Sequence, residues 1–248
     1  MRKFGLIGHP LKHSFSKKYF TEKFEKEGMT NCQYELFDIE EVSKIRKILD
    51  ENPELEGINV TIPYKEQIIP YLDDLEAGCK AIGAVNTLKI KVGKLTGYNT
   101  DYIGFKESLV KWLGARQLKA MVLGTGGASR AVKQALKDLD IPFLMVSRNK
   151  GKSFASVQYA DLANQTNLMD EYKLIINTTP LGTFPNTDGM PEIPLHLITN
   201  QHMVYDLVYN PERTLLMQSA EAKGANTKNG LEMLFLQAEA SWEIWNRD

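Results

Sequence analysis

Polar residues that can do chemistry gather at a few places in the first part of the chain. Ser14-Phe15-Ser16 carries two hydroxyls at i and i+2, which share a side in an extended backbone and can then grip a carboxylate. Asn59-Val-Thr61-Ile-Pro-Tyr-Lys65 closes an apolar stretch with an amide and a hydroxyl, and sets an amine just beyond. Gly83-Ala-Val-Asn86-Thr87 and Gly97-Tyr-Asn-Thr-Asp101 add an amide and a carboxylate at other strand ends. An amine beside a carboxylate can move a proton and hold the group it leaves. Plainer roles stand beside these. Asp101 can be a helix N-cap, Ser16 can cap a helix beginning near Lys17, and Lys65 can be a solvated first-turn lysine. Thr61 and Asn86 can be satisfied polar groups at strand ends.

A second kind of chemistry is written into Gly124-Thr125-Gly126-Gly127-Ala128-Ser129. It follows the fully apolar run 120–123, the signature of a buried parallel strand. After it Ala128, Ala131, Val132, Ala135, Leu136 and Leu139 recur at helical spacing, and another apolar run follows at 143–146. In that setting glycines allow a tight turn and close backbone approach, and the helix N-terminus offers unpaired N–H groups to a pyrophosphate. Ser129 stands where the consensus has Gly or Ala. About 20 residues on, where a ribose-reading residue belongs, the chain has Ser147-Arg148-Asn149-Lys150-Gly151-Lys152. It offers no acidic residue and three cations, which suits a 2′-phosphate. The plainer reading is a solvated loop of surface Lys and Arg.

Alternating strands and amphipathic helices must position these groups, which is the α/β pattern. Strands are expected at 4–7, 33–37 and 57–62, the last with Ile58, Val60 and Ile62 on one face and Asn59 and Thr61 on the other. Helices carry Tyr19, Phe20 and Phe24, then Val42, Ile45, Ile48 and Leu49. A hairpin turns at Gly93, between 84–90 and 94–97. A helix over 102–113 leads through the connection 114–119 into a new unit, with later strands at 174–176 and 203–205. Asn229 would cap a last helix with the apolar face Leu231, Leu234, Phe235, Ala238, Trp242 and Trp245. Gly230, Met233 and Gln237 share a face that would close over a cleft.

The 248 residues suit one large domain or two small ones. Hydrophobic residues make up 43% and charged residues 25%, which excludes a disordered, collagen-like or disulfide-scaffold chain. The net charge of −1 gives no sign of nucleic-acid binding. Cys32 and Cys79 are isolated, and His9 and His13 flank Pro10 in a loop, so no metal site is expected. The apolar stretch after Met1 is too short for a signal peptide, and no run approaches the ~20 residues that span a bilayer. The chain reads as soluble and cytoplasmic.

Together the segments closely resemble shikimate dehydrogenases over nearly the whole chain. The resemblance runs through I-G-x-P…H-S-x-S (Ile7 to Ser16), N-V-T-I-P-Y-K, G-A-V-N-T, N-T-D (Asn99 to Asp101) and G-T-G-G-A-S. It continues through Asn177-Thr-Thr-Pro-Leu-Gly182, Tyr205-Asp-Leu-Val-Tyr-Asn-Pro211 and Asn229-Gly-Leu-Glu-Met-Leu…Gln237. It implies that Lys65 and Asp101 are the catalytic pair and that Ser14 and Ser16 hold the substrate carboxylate. Thr61, Asn86 and Gln237 would contact ring hydroxyls, and Tyr209 would line the site. NADP would be held by Gly124, Thr125, Gly126, Gly127, Ala128, Ser147, Arg148, Asn149 and Lys152, with Leu207 and Gly230 at the nicotinamide. Two departures bear on this. Lys17 replaces a common Pro, and Lys152 replaces an Arg and so lacks its bidentate fork.

The resemblance implies an N-terminal α/β substrate domain, 1–100, completed by 228–248, whose last helix packs back on it. A Rossmann-like doubly wound NADP domain would span 101–227. The implied reaction is reversible reduction of 3-dehydroshikimate to shikimate with NADP, by a monomer or homodimer whose partners are small molecules, not nucleic acid or membrane. Alternatives are a quinate/shikimate dehydrogenase of broader use and a non-catalytic nucleotide or metabolite sensor. A neighbouring carboxylate favours a charged lysine, whereas a general base must be neutral, so Lys65 can be a base or a charged stabiliser.

Overall fold

The computed structural model describes residues 1–11, 14–148, 156–162 and 164–247. Its chain runs β1 (Arg2–Gly8), α1 (Phe15–Lys26), β2 (Cys32–Asp38), α2 (Ile45–Glu51), β3 (Leu55–Val60) and α3 (Tyr64–Gln67). Then come β4 (Asp74–Leu75), α4 (Ala77–Ile82), β5 (Thr87–Lys91), β6 (Lys94–Tyr98) and α5 (Thr100–Leu113). The second half holds β7 (Ala120–Leu123), α6 (Gly127–Asp138), β8 (Phe143–Ser147), β9 (Ser156–Gln158), α7 (Tyr159–Leu162) and α8 (Asn167–Glu171). It ends with β10 (Leu174–Asn177), β11 (Met203–Asp206), α9 (Leu215–Glu221), β12 (Asn226–Lys228) and α10 (Leu231–Asn246).

The chain divides into two units, Met1–Asp101 with Gln237–Asp248, and Tyr102–Leu236. In the first, the strand order is β2-β1-β3-β5-β6-β4. The strand β1 runs parallel to β2 and β3, while β5 is antiparallel to β3 and β6. The turn between β5 and β6 puts both Val92 (φ 51) and Gly93 (φ 71) in the left-handed region, which suits a two-residue hairpin. Phe4 and Leu6 face an aromatic core with Phe20, Phe24, Tyr34 and Trp245, and Ile7 faces the opposite, aliphatic core. Trp245 stacks on Phe4 with centroids 4.9 Å apart and donates its indole N–H to the Leu88 carbonyl.

The second unit has the order β12-β11-β10-β7-β8-β9, all neighbours parallel. Counted within the unit, this is the doubly wound order 3-2-1-4-5-6, reversing direction between β7 and β10. Its four central strands are largely apolar because both faces are covered, whereas the edge strands β9 (Ser-Val-Gln) and β12 (Asn-Thr-Lys) are mostly polar. Ala120, Val122, Leu174 and Ile176 enter one core, while Met121, Leu123 and Ile175 enter the other.

Several expectations change here. The strand β3 ends at Val60, so Ile62 is 74% exposed instead of sharing the buried face. The chain turns at that point, with Tyr64 N–H donating to the Thr61 carbonyl, and Pro63 has no N–H to continue a ladder. The apolar face expected for α10 is also displaced. Phe235 is 42% exposed, and the buried positions are Met233, Gln237, Ala238, Ala240, Ser241, Ile244 and Trp245. The helix changes units at Gln237, whereas the expected return to the first domain began at 228. Its first turns are held in the second unit, where Met233 packs with Phe105 and Leu109. No helix among the described residues is long and apolar enough to cross a membrane.

Candidate functional site

The strand end at Val60 and the turn after it deliver Lys65 into α3, where its backbone carbonyl accepts from Val85 N–H at 2.7 Å. Asp101 is not an N-cap, because α5 already begins at Thr100. The Thr100 N–H instead donates to Asn86 Oδ1 at 2.6 Å, so the amide of Asn86 closes the start of the helix. With its oxygen so engaged, Asn86 turns Nδ2 to Asp101 Oδ1 at 2.9 Å. The other carboxylate oxygen, Oδ2, receives Lys65 Nζ at 2.6 Å. The helix N-terminus further favours a carboxylate there. Both side chains keep an open edge, 22% exposed for Lys65 and 14% for Asp101. An ammonium held this way can give a proton to an oxygen placed against it, or take one back.

Beside this pair lie the buried side chains of Asn59, Thr87, Thr100 and Ser241, none of them assigned a role from the sequence. Asn59 Nδ2 donates to Ser241 Oγ at 3.0 Å and to Thr87 Oγ1 at 3.2 Å. Ser241 lies 2.8 Å from Thr87 Oγ1 and 3.1 Å from Thr100 Oγ1. Thr100 accepts from Asn86 Nδ2 and approaches Gln237 Oε1 at 3.5 Å. Asn59, Thr87 and Thr100 sit inside motifs whose other members were assigned. For Ser241 the only available signal was its place one turn after Gln237.

The serine pair is arranged differently from an extended grip. Helix α1 starts at Phe15, and Ser14 is its N-cap, accepting from Lys17 N–H at 3.2 Å. Ser16 lies inside the first turn and is hydrogen-bonded to the Tyr34 phenol, whose ionisation burial pushes far up. Tyr34 donates in turn to Asn59 Oδ1 at 2.7 Å. Thr61, half-buried, donates its N–H to the Ile7 carbonyl. His9 Nδ1 sits 2.7 Å from Asp38 Oδ1. The Leu11 N–H, then His9, hold that carboxyl below its usual range. His13 lies outside the described residues, and among those described no cluster of three or more His, Cys, Asp or Glu could hold a metal.

In the second unit, β7 runs into Gly124, whose φ of +99° favours glycine; a Cβ there would meet Thr179 Cγ2 at 2.8 Å. Gly126 is the N-cap of α6. A Cβ on Gly126 or Gly127 would meet nothing within 4 Å, so the missing side chains leave open space before the unpaired N–H groups of the helix. That cradle fits a pyrophosphate. Thr125 is exposed and Ala128 half-buried at its rim. Ser129, the departure from consensus, is satisfied locally by donating to the Gly126 carbonyl at 2.6 Å. Ser147 is buried at the end of β8, and Arg148 follows on the surface. Asn149 and Lys152 lie outside the described residues.

Leu207 N–H donates to the Asn177 carbonyl at 3.0 Å, and a Cβ on Gly230 would lie 2.0 Å from the Leu207 carbonyl oxygen. Only glycine fits that approach. Beside them Asp206 is buried, which raises its carboxyl, and it accepts from Thr214, Asn177 and Val208. Tyr209 is 39% exposed, and Gln237 is buried. The structure thus brings Lys65, Asp101, Asn86 and Gln237 into one bonded cluster of the first unit, while Tyr209, Leu207, Gly230 and the glycine turn belong to the second.

A family model described as the shikimate dehydrogenase substrate binding domain matches residues 6–88. A Staphylococcus epidermidis protein named shikimate dehydrogenase (NADP(+)) is 37% identical, over 98% of this chain and 91% of its own. A solved chorismate mutase/shikimate 5-dehydrogenase fusion protein from Clostridium acetobutylicum superposes with a TM-score of 0.88 at 37% identity, over 99% of this chain and 91% of that one. Shikimate 5-dehydrogenase from Thermus thermophilus, solved in complex with NADP(H) and shikimate, gives 0.86 at 30% identity, over 99% and 93%.

Proposed function

This chain belongs to the shikimate dehydrogenase family, and from that premise we propose that Lys65 and Asp101 carry its reaction. The reaction is the reversible, NADP-dependent reduction of 3-dehydroshikimate to shikimate, a step toward the aromatic amino acids. One observation supports the catalytic assignment most: the 2.6 Å Lys65–Asp101 pair, with Asn86 on the other carboxylate oxygen.

When bound, the reduced cofactor, NADPH, would supply the hydride in reduction and the oxidised form, NADP+, would take it in oxidation. The chain must therefore supply the proton and the orientation. In reduction, charged Lys65 gives a proton from Nζ to the carbonyl oxygen as that oxygen becomes an alkoxide. In oxidation the same atom takes the hydroxyl proton back. Asp101 Oδ2 holds Nζ through both directions, so the charge on the lysine is balanced whenever it is present. Thr61, Asn86 and Gln237 contact the ring hydroxyls. Ser14 accepts from Lys17 N–H, which leaves its own O–H to donate to the substrate carboxylate, and Ser16 would reach the same carboxylate by turning its proton away from the Tyr34 phenol. Tyr209 is assigned to the substrate.

Gly124, Thr125, Gly126, Gly127 and Ala128 would hold the pyrophosphate of NADP. Ser147, Arg148, Asn149 and Lys152 would hold the adenosine 2′-phosphate, and Leu207 and Gly230 the nicotinamide end. A guanidinium at Arg148 can stack on adenine and fork onto the phosphate. The reading includes a cytoplasmic monomer or homodimer that works on small molecules and not on nucleic acid.

Absorbance at the reduced-nicotinamide band, with shikimate or quinate and each cofactor in turn, tests the function. Fast turnover with shikimate and NADP is expected. Quinate used equally well would widen the substrate class, and tight NADP binding without turnover would make the protein a sensor.

A further inference from the structure

We infer that Ser241 is a positioning residue for the catalytic pair, acting through Thr100 and Asn86. The inference rests on the assignment of Lys65 and Asp101 above. Ser241 is fully buried in the part of α10 that belongs to the first unit. It has one proton and gives it to the Gln237 carbonyl at 2.9 Å. Its oxygen keeps two lone pairs for three neighbours, Asn59 Nδ2 at 3.0 Å, Thr87 Oγ1 at 2.8 Å and Thr100 Oγ1 at 3.1 Å, so one threonine must turn its proton elsewhere, and Thr87 has Asn86 Oδ1 at 3.4 Å for that.

That arrangement orients the bonds beyond it. With its proton turned to Ser241, Thr100 Oγ1 presents a lone pair to Asn86 Nδ2 at 2.9 Å. Asn86 then lies with Oδ1 on the Thr100 N–H and Nδ2 on both Thr100 and Asp101 Oδ1. Without the acceptor at 241, the Thr100 hydroxyl can turn its proton to Asn86 Oδ1, 3.3 Å away; the Thr100 N–H and Asp101 still set which way the amide lies, but the lone pair that steadies Nδ2 is lost. Asp101 then loses part of what aims Oδ2 at Lys65. A buried polar cluster costs desolvation unless every member is satisfied, so a serine that only filled space would be replaced by alanine at little loss.

The test compares Ser241→Ala and Ser241→Cys with the wild type. Cysteine keeps the volume but is a weak acceptor. Both variants should lower kcat with shikimate by about tenfold, the effect of one misplaced hydrogen bond. The KM for NADP should not change, and both variants should remain folded by thermal melting, with some loss of stability because buried donors lose an acceptor. If the cysteine variant turns over normally while the alanine variant is slow, packing is what matters and the inference is overturned. Normal kcat in both also overturns it. The underlying assignment fails separately, by near-normal kcat in Lys65→Ala.

Discussion

In the first unit Asn59, Asn86, Thr87, Thr100 and Ser241 are buried and bonded to one another and to Asp101. In the second, the sheet buries Leu, Ile, Val and Met on both faces, and Gly124, Thr125 and Gly126 lie at the partly exposed end of β7. The difference follows from what each unit must hold. Proton transfer needs side-chain heads fixed in direction, and a buried network fixes them only if each donor and acceptor is matched. A dinucleotide phosphate is bound by backbone N–H groups, which a helix end provides whatever the core is made of. The second unit has a buried polar set too, Asn177 and Asp206 at the ends of β10 and β11 with Thr214, but its glycine turn presents backbone N–H groups and not side-chain heads.

The largest expected effect tests the polar side. Lys65→Ala should lower kcat by roughly 10²–10⁴-fold, while the KM for shikimate changes little, as for an interaction used mainly in the transition state. Steady-state kinetics decides it.

Arg148→Ala tests the other unit. It should raise the KM for NADP about ten- to a hundredfold and leave that for NAD nearly unchanged, the loss of one charge-assisted contact. Equal losses for both cofactors would assign Arg148 to the adenine or to the fold. A wild type that prefers NAD would reverse the assignment.

A smaller effect separates the two serines. Ser14→Ala should weaken shikimate binding roughly tenfold and also cost about 1 kcal/mol of stability, because it removes a helix cap. Ser16→Ala should weaken binding with a smaller stability loss. Calorimetry with shikimate and urea unfolding read the two quantities; a Ser14→Ala protein of unchanged affinity would reduce Ser14 to a cap.

The smallest effect is on acid stability, and it should fall on the second unit. Lys111, then Lys228, hold the Glu232 carboxyl down at about 2 against an ordinary 4.5. Because the folded value is the lower one, its contribution is complete above about pH 4.5 and is lost as pH falls toward 2. His202 is kept neutral by burial, below its ordinary 6.5, with Thr199 N–H on Nδ1 and the Met169 carbonyl at Nε2. Its contribution likewise is complete above 6.5 and fades below. Between pH 7 and pH 4 the His202 contribution fades first, and most of the Glu232 contribution is lost only below about pH 4.5. Hydrogen exchange should show β11 opening before β1 over that range. Simultaneous opening would break the contrast.

The elements most readily foreseen were those set by local pattern. The apolar run 120–123 is β7 itself, and the helical spacing from Ala128 to Leu139 matches α6. Lys65, Asp101 and Asn86 were legible because strand ends and turns put short polar motifs at one edge of a sheet, and they do meet. The face of α10 was misread because its partners change along its length, from Phe105 and Leu109 to Phe4 and Phe20, and periodicity carries no record of which partner waits.

By itself, then, the sequence determined the alternation of strands and helices, the glycine turn and the presence of an amine, an amide and a carboxylate. These depend on neighbours a few residues away, where backbone propensity and side-chain period act directly. Only the tertiary structure decided that Ser14 caps a helix, that Asp101 does not, and that Ser241 lies within hydrogen-bond distance of Asn59, Thr87 and Thr100. Ser241 is remote in sequence from all three. Which buried donor finds which acceptor is settled by packing, because an unmatched polar group in the core costs about 1–3 kcal/mol and the fold must satisfy all of them at once.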